Sequence, residues 1–289
     1  MVKKNRVLSL GAGIFLLWPC LFADQTKSPQ DSLTTILDKS AEYCRKLADS
    51  ALYFVCQEKI REEIYDFRGG GGAIAISTDG GSATTYFSPS LRRKAVKNSY
   101  IYDYQLIKKE ERVDETRTLV EENGKKKDLK DEPLKTQRFI SRKAVFGPVG
   151  FLGREWREVY DYKLVKQDKA EGRDAYVIEV KPKVTVEGKP NYGKLWVDKT
   201  DFSVLKIEVE DQSLAGFEKV LEQAKSRGVK PAFNTVHEYG IVKNGLRFPS
   251  RTVFIEKYAG DSAVGFTQSK TEISYENYKF FTVETRVIY

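Results

Sequence analysis

Between residues 52 and 65 the chain alternates. Leu52, Phe54, Cys56, Ile60 and Ile64 fall on one side of an extended backbone, interrupted at Glu58 and Glu62, while Val55, Gln57, Lys59, Arg61 and Glu63 fall on the other. A period of two predicts a strand with one buried face. The stretch before it has a different period: Leu33, Ile36, Leu37, Ser40, Cys44 and Leu47 recur at helical spacing behind a possible cap at Asp31 or Ser32, so residues 31–48 predict an amphipathic helix.

From residue 95 onward alternation returns and persists. Tyr100, Tyr102, Tyr104 and Leu106 share a face, and Asn123-Gly124 after ETRTLVEE is a tight hairpin turn. Tyr176, Ile178 and Val180 share a face; Leu195 and Val197 lead through a turn near Asp198–Asp201 to Leu205, Ile207 and Val209; Asn244-Gly245 marks another tight turn. Regular spacing and short turns favour one large, strongly curved antiparallel sheet over parallel strands, which need helical crossovers. The predicted class is mainly β with some α, in one domain over residues 24–289.

Two segments break the pattern. Residues 68–90 are rich in Gly, Ser and Thr and predict a flexible loop; a phosphate cradle would need a following helix and a Lys-Ser or Lys-Thr pair, and has neither. Residues 214–227 place Leu214, Phe217, Val220, Leu221 and Ala224 on a helical stripe ended by Gly228, which suits an inserted helix that covers core or acts as a lid.

The first 23 residues read as a secretory signal peptide: Lys3, Lys4 and Arg6, an apolar run from Val7 to Ala23, then polar sequence. Export to the periplasm of a bacterium with an outer membrane is the expectation. Lipid anchoring through Cys20 is a lesser alternative, because Trp18 and Pro19 stand where a lipobox takes small residues. An oxidising compartment makes Cys44 and Cys56 candidates for a disulfide. In one continuous helix they would lie about 18 Å apart, too far to bond, but a helix folding back on the next strand removes that objection.

Charge and composition then exclude more than they name. Lys plus Arg is 49 against 41 Asp plus Glu, a net +8 drawn from two large interleaved populations, so neither a polycation nor a nucleic-acid partner is expected. A single His, His237, without a nucleophile context supports no triad, and 3 Cys and 1 Met leave little for a metal centre; no catalysis and no cofactor are expected. Glu62-Glu63 and Glu121-Glu122 are neighbours that strands point to opposite faces, and they read as solvated charges.

A broad curved sheet with 16 Phe, 16 Tyr and 3 Trp must fill its concave side or leave an apolar hollow, and such a hollow holds hydrocarbon. Strand parity nominates Phe54, Ile60, Tyr102, Tyr104, Ile178, Leu205, Ile207 and Phe254 for that side. Plain core would show the same alternation.

The helix of 31–48 running into strand 52–65, the block DYKLVKQDKAEGRDAYVIEVKPK (161–183) followed by YGKLWVDKTDFSVLKIEVED (192–211), and the hairpin YGIVKNGLRFPSRTVFIEK (239–257) together resemble the LolA/LolB-like lipoprotein-sorting carriers and their lipid-sensing relatives. The resemblance implies an unclosed β-barrel with helices on its concave face. It also implies a non-catalytic carrier or sensor of lipid or lipoprotein acyl chains, and the mature chain is expected to be a soluble monomer. The alternative is an envelope protein-interaction module without a lipid ligand.

Overall fold

The computed structural model describes residues 31–50, 54–66, 94–109, 112–183, 190–226, 228–260 and 266–281. The expected leader of 1–23, Cys20 and the loop of 68–90 lie outside the described residues. Contacts divide the chain into residues 1–32 and a unit spanning Leu33–Tyr289, whose fold follows.

Helix α1, Leu33–Ser50, buries Ile36, Leu37, Ser40, Ala41, Tyr43, Cys44 and Leu47, close to the predicted stripe. Strand β1, Phe54–Asp66, follows. It lies inside the sheet between β2, Lys94–Lys109, and β13, Phe266–Phe280. On one side β2 leads outward through β3, Arg112–Glu122, to β4, Lys125–Leu129. On the other, β13 pairs with β12, Arg251–Gly260, then β9, Val229–Glu238, and β8, Val204–Val209. Next come β7, Gly193–Asp198, β6, Arg173–Pro182, and β5, Tyr160–Ala170. These eleven strands form one antiparallel sheet whose two edges, β4 and β5, do not meet, so the barrel stays open. A separate hairpin joins β10, Ile241–Lys243, to β11, Leu246–Phe248.

The Asn123-Gly124 and Asn244-Gly245 turns stand where predicted, each with both residues at positive φ. That is the geometry that matches strand twist in a two-residue hairpin. Glu171-Gly172 makes a third such turn, between β5 and β6.

Because β4 and β5 lie at opposite edges, the chain linking them must cross the whole sheet. It does so as an irregular strap, residues 130–143, followed by a 3-10 turn Ala144–Phe146, helix α2, Gly147–Leu152, and a second 3-10 turn Arg154–Glu158. This crossing and α1 cover one face of the sheet, the inner face. There α1 and α2 pack with Phe54, Tyr104, Ile178, Leu195, Ile207 and Ile273 in the main core. Gly147 admits α2 close to the sheet, since a Cβ there would collide with the Tyr239 hydroxyl. Helix α3, Phe217–Lys225, is shorter than expected and buries only Ala224; it rests on β9 through an edge-to-face contact of Phe217 and Phe233.

Cys44 and Cys56 are both buried and both free, which overturns the predicted disulfide. Each thiol has its own neighbour: Cys44 donates to the Pro148 carbonyl oxygen of α2 at 3.4 Å, and Cys56 lies in hydrogen-bond contact with Tyr278 of β13. The helix packs against α2, whose Pro148 meets Cys44.

Candidate functional site

The site is the inner face and what lies on it. Along β1 the side chains at every second position, Phe54, Cys56, Glu58, Ile60 and Glu62, are all buried. The two glutamates that looked like interruptions of the pattern belong to it, and Glu62 is fully buried and not a solvated charge. A buried carboxylate needs partners. Glu58 has Arg117 of β3, with Nε to Oε2 at 2.7 Å and Nη2 to Oε1 at 3.3 Å. Burial pushes the Glu58 carboxyl above its ordinary range while Arg117 pulls it back. Burial opposes the Arg117 charge in turn, and Glu58, with Glu115 beside it, overrides that opposition and raises its pKa. The guanidinium also lies 4.8 Å from the Tyr104 ring centroid.

Glu62 is held differently. Its Oε1 accepts the main-chain N–H groups of Gln137 at 2.8 Å and Arg138 at 3.1 Å, and its Oε2 accepts from Asn98 at 3.4 Å. Glu256 of β12, 4% exposed, takes the Arg138 side chain through Nε at 2.9 Å and Nη2 at 2.7 Å. Ser269 and Tyr258 donate to the same carboxylate at 2.9 and 2.7 Å. Next to it Phe139 stacks on Phe254, with ring centroids 4.6 Å apart and 8° between planes, and Phe233 stacks on Phe254 at 5.5 Å. Nearer β3, the Tyr102 hydroxyl accepts from Lys135 N–H at 3.2 Å and donates to the Pro133 carbonyl at 3.3 Å. Lys143 N–H reaches Glu115, and the Tyr239 hydroxyl bonds the Ala144 carbonyl at 2.9 Å. The strap is thus fastened to the sheet largely by polar contacts.

Six of the nominated residues, Phe54, Ile60, Tyr102, Tyr104, Ile178 and Ile207, join the main core on the inner face. Phe254 is there too, inside the phenylalanine stack. Leu205 is not. The register of β7 with β8 slips between Trp196 and Val197, so Val204 takes the inner face, and Leu205 packs with Ala175, Val177 and Trp196 in a second cluster. Over the described residues the apolar hollow expected on this side is replaced by packed side chains and the strap. A cavity of about 600 Å³ remains where the two ends of the strap meet β3, with apolar lining from Val113, Pro133, Leu134 and Ile140 and polar lining from Asp114, Glu115, Thr116, Arg117, Asp131, Glu132, Arg142 and Lys143. Its size suits a small ligand.

His237 faces inward with Nδ1 2.9 Å from the Thr252 hydroxyl, and burial lowers its pKa to about 4. No group of His, Cys, Asp and Glu suited to a metal ion occurs among the described residues, and no helix among them is long and apolar enough to cross a membrane. Sequence reasoning missed Glu58, Glu62, Arg117, Arg138 and Glu256. A signal existed for three of them: Glu58 and Glu62 share the parity of Phe54, and Glu256 that of Phe254.

Three solved structures show what the chain is similar to. A LolA superfamily protein from Nitrosomonas europaea is 13% identical, with a TM-score of 0.33, over 88% of this chain and 96% of the other. A DUF1329 family protein from Desulfovibrio piger is 14% identical, with a TM-score of 0.37, over 89% and 96%. A putative outer membrane lipoprotein-sorting protein domain from Vibrio parahaemolyticus is 10% identical, with a TM-score of 0.38, over 86% and 95%. At these TM-scores the likenesses carry no argument. No curated protein matches the chain. A family model described as "-like: Uncharacterized protein" matches residues 135–285, more than half of the sequence, and the chain belongs to that family.

Proposed function

We propose that the protein is an exported, non-catalytic carrier or sensor that shelters the hydrocarbon of a lipid, or the acyl chains of a lipoprotein, on the inner side of its open sheet. The observation that supports this reading best is the cavity beside the strap. Val113, Leu134 and Ile140 give it apolar lining beside the acidic Asp114, Glu115, Asp131 and Glu132 and the basic Arg117, Arg142 and Lys143, and 58% of Ile140 is exposed. Apolar and charged lining side by side suits an amphiphile, whose chain leaves water while its head group stays hydrated. The nominated inner-face residues would then be the floor under such a ligand, with Tyr102 and Tyr104 nearest to β3.

Mass spectrometry of native protein after organic extraction, with displacement of a fluorescent fatty acid, tests the reading. A co-purifying or displaceable lipid, weakened by Ile140→Glu without loss of folding, is the expected result. Protein free of lipid and indifferent to the fatty acid overturns it. An envelope interaction module, the second reading, draws on a different feature: buried carboxylates that hold an extended main chain.

A further inference from the structure

The strap is held as a bound peptide is held. Glu62, fully buried, recognises main-chain N–H groups and so is indifferent to the side chains it meets. Glu256 recognises a guanidinium fork, and its two oxygens are already oriented by Ser269 and Tyr258, both sheet residues. Phe254, backed by Phe233, receives one aromatic ring. Every receiving group belongs to the sheet, so the site is complete without the strap.

The strap fits this site imperfectly. Phe254 is flanked in register by Thr235 and Thr271, whose hydroxyls are 2% and 0% exposed by residue and have no hydrogen-bond partner. Unpaired buried hydroxyls cost free energy that a better-fitting occupant would recover. The strap is open to solvent on its outer side: Gln137, Arg138 and Ile140 are exposed and Phe139 is half-buried. Glu256, with hydroxyl donors but no cation from the sheet among the described residues, favours an occupant that brings positive charge, and Glu62 one that brings main-chain N–H groups.

We infer that this part of the inner face is a docking site for an extended segment of a partner protein carrying an arginine followed by an aromatic residue, and that strap residues 136–139 fill the site from within until such a segment displaces them. The inference does not depend on a lipid ligand.

The probe is a fluorescent peptide with the sequence of residues 133–141, PLKTQRFIS, added to the full chain. The chain carrying Arg138→Ala and Phe139→Ala, with its own strap weakened, should bind the peptide at least about tenfold more tightly than the unaltered chain, the range a lost charged hydrogen-bond pair spans. Adding Glu256→Gln, or replacing the peptide's arginine by alanine, should remove that binding. In the unaltered chain, excess peptide should raise amide hydrogen exchange at Gln137 and Arg138. Absence of binding by a folded double variant, binding that survives Glu256→Gln, or unchanged exchange at saturating peptide would each overturn the inference.

Discussion

Arg117 grips Glu58 in a two-point contact with both side chains buried, on the inner face where β3 and β1 are separated by β2. Such a pair contributes little net stability, because each charge gives up hydration to form it, but breaking it leaves the other charge stranded. Arg117→Met should therefore cost about 3–5 kcal/mol, whereas Arg117→Met combined with Glu58→Leu should recover most of that loss. Urea unfolding of the three proteins checks the prediction. A double variant no more stable than Arg117→Met would contradict it.

The free thiols give a chemical prediction. Burial pushes the Cys44 thiol up to about 12 and raises that of Cys56 as well, so neither is a thiolate at neutral pH and neither is open to reagent. Iodoacetamide should label neither in native protein and both after unfolding without reductant. Peptide mapping that recovers the two linked would show that the chain closes a bridge across a different packing of α1.

The sequence marks elements better than it marks paths. Helix α1, strand β1 and the turns at Asn123-Gly124 and Asn244-Gly245 were legible because each depends on residues close together in the chain. The strap was not. Residues 130–143 have no period and no strong turn signal, and their route is dictated by strands β4 and β5 lying at opposite edges of the sheet, a fact of global order. The buried glutamates were in view but were read by residue type and not by position, since a carboxylate enters a core only when a distant partner meets it. Those partners, Arg117 and the main chain of residues 137 and 138, lie far off in sequence.

Leu205 shows how one register slip redirects a prediction. Simple parity puts it with Ile207, but the irregularity opposite Val197 turns it to the other face, against Val177 and Trp196. Leu205→Ala should cost about 2–5 kcal/mol. In double-variant cycles it should couple to Val177→Ala by about 0.5–3 kcal/mol and add independently to Ile178→Val, because only the first pair shares a cluster. Coupling to Ile178 in place of Val177 would return Leu205 to the inner face.

His237 makes stability depend on pH with a defined sign. Burial holds its folded pKa near 4, below the unfolded value of 6.5, so between those values the unfolded chain binds a proton that the folded chain refuses. The neutral imidazole contribution is present above pH 6.5 and is lost as pH falls towards 4. Because the side chain is only half-buried by exposure, the loss should be discounted to about 1–3 kcal/mol. Burial raises the pKa of the Glu58 carboxyl, which shifts stability with pH in the opposite sense, so the informative quantity is the difference from His237→Gln, which cannot take up the proton. Urea unfolding at pH 7 and pH 4.5 should show the stability advantage of the unaltered chain over His237→Gln narrowing, or reversing, at the lower pH. A gap of the same size at both values would mean that the imidazole accepts its proton as readily inside the fold as outside it.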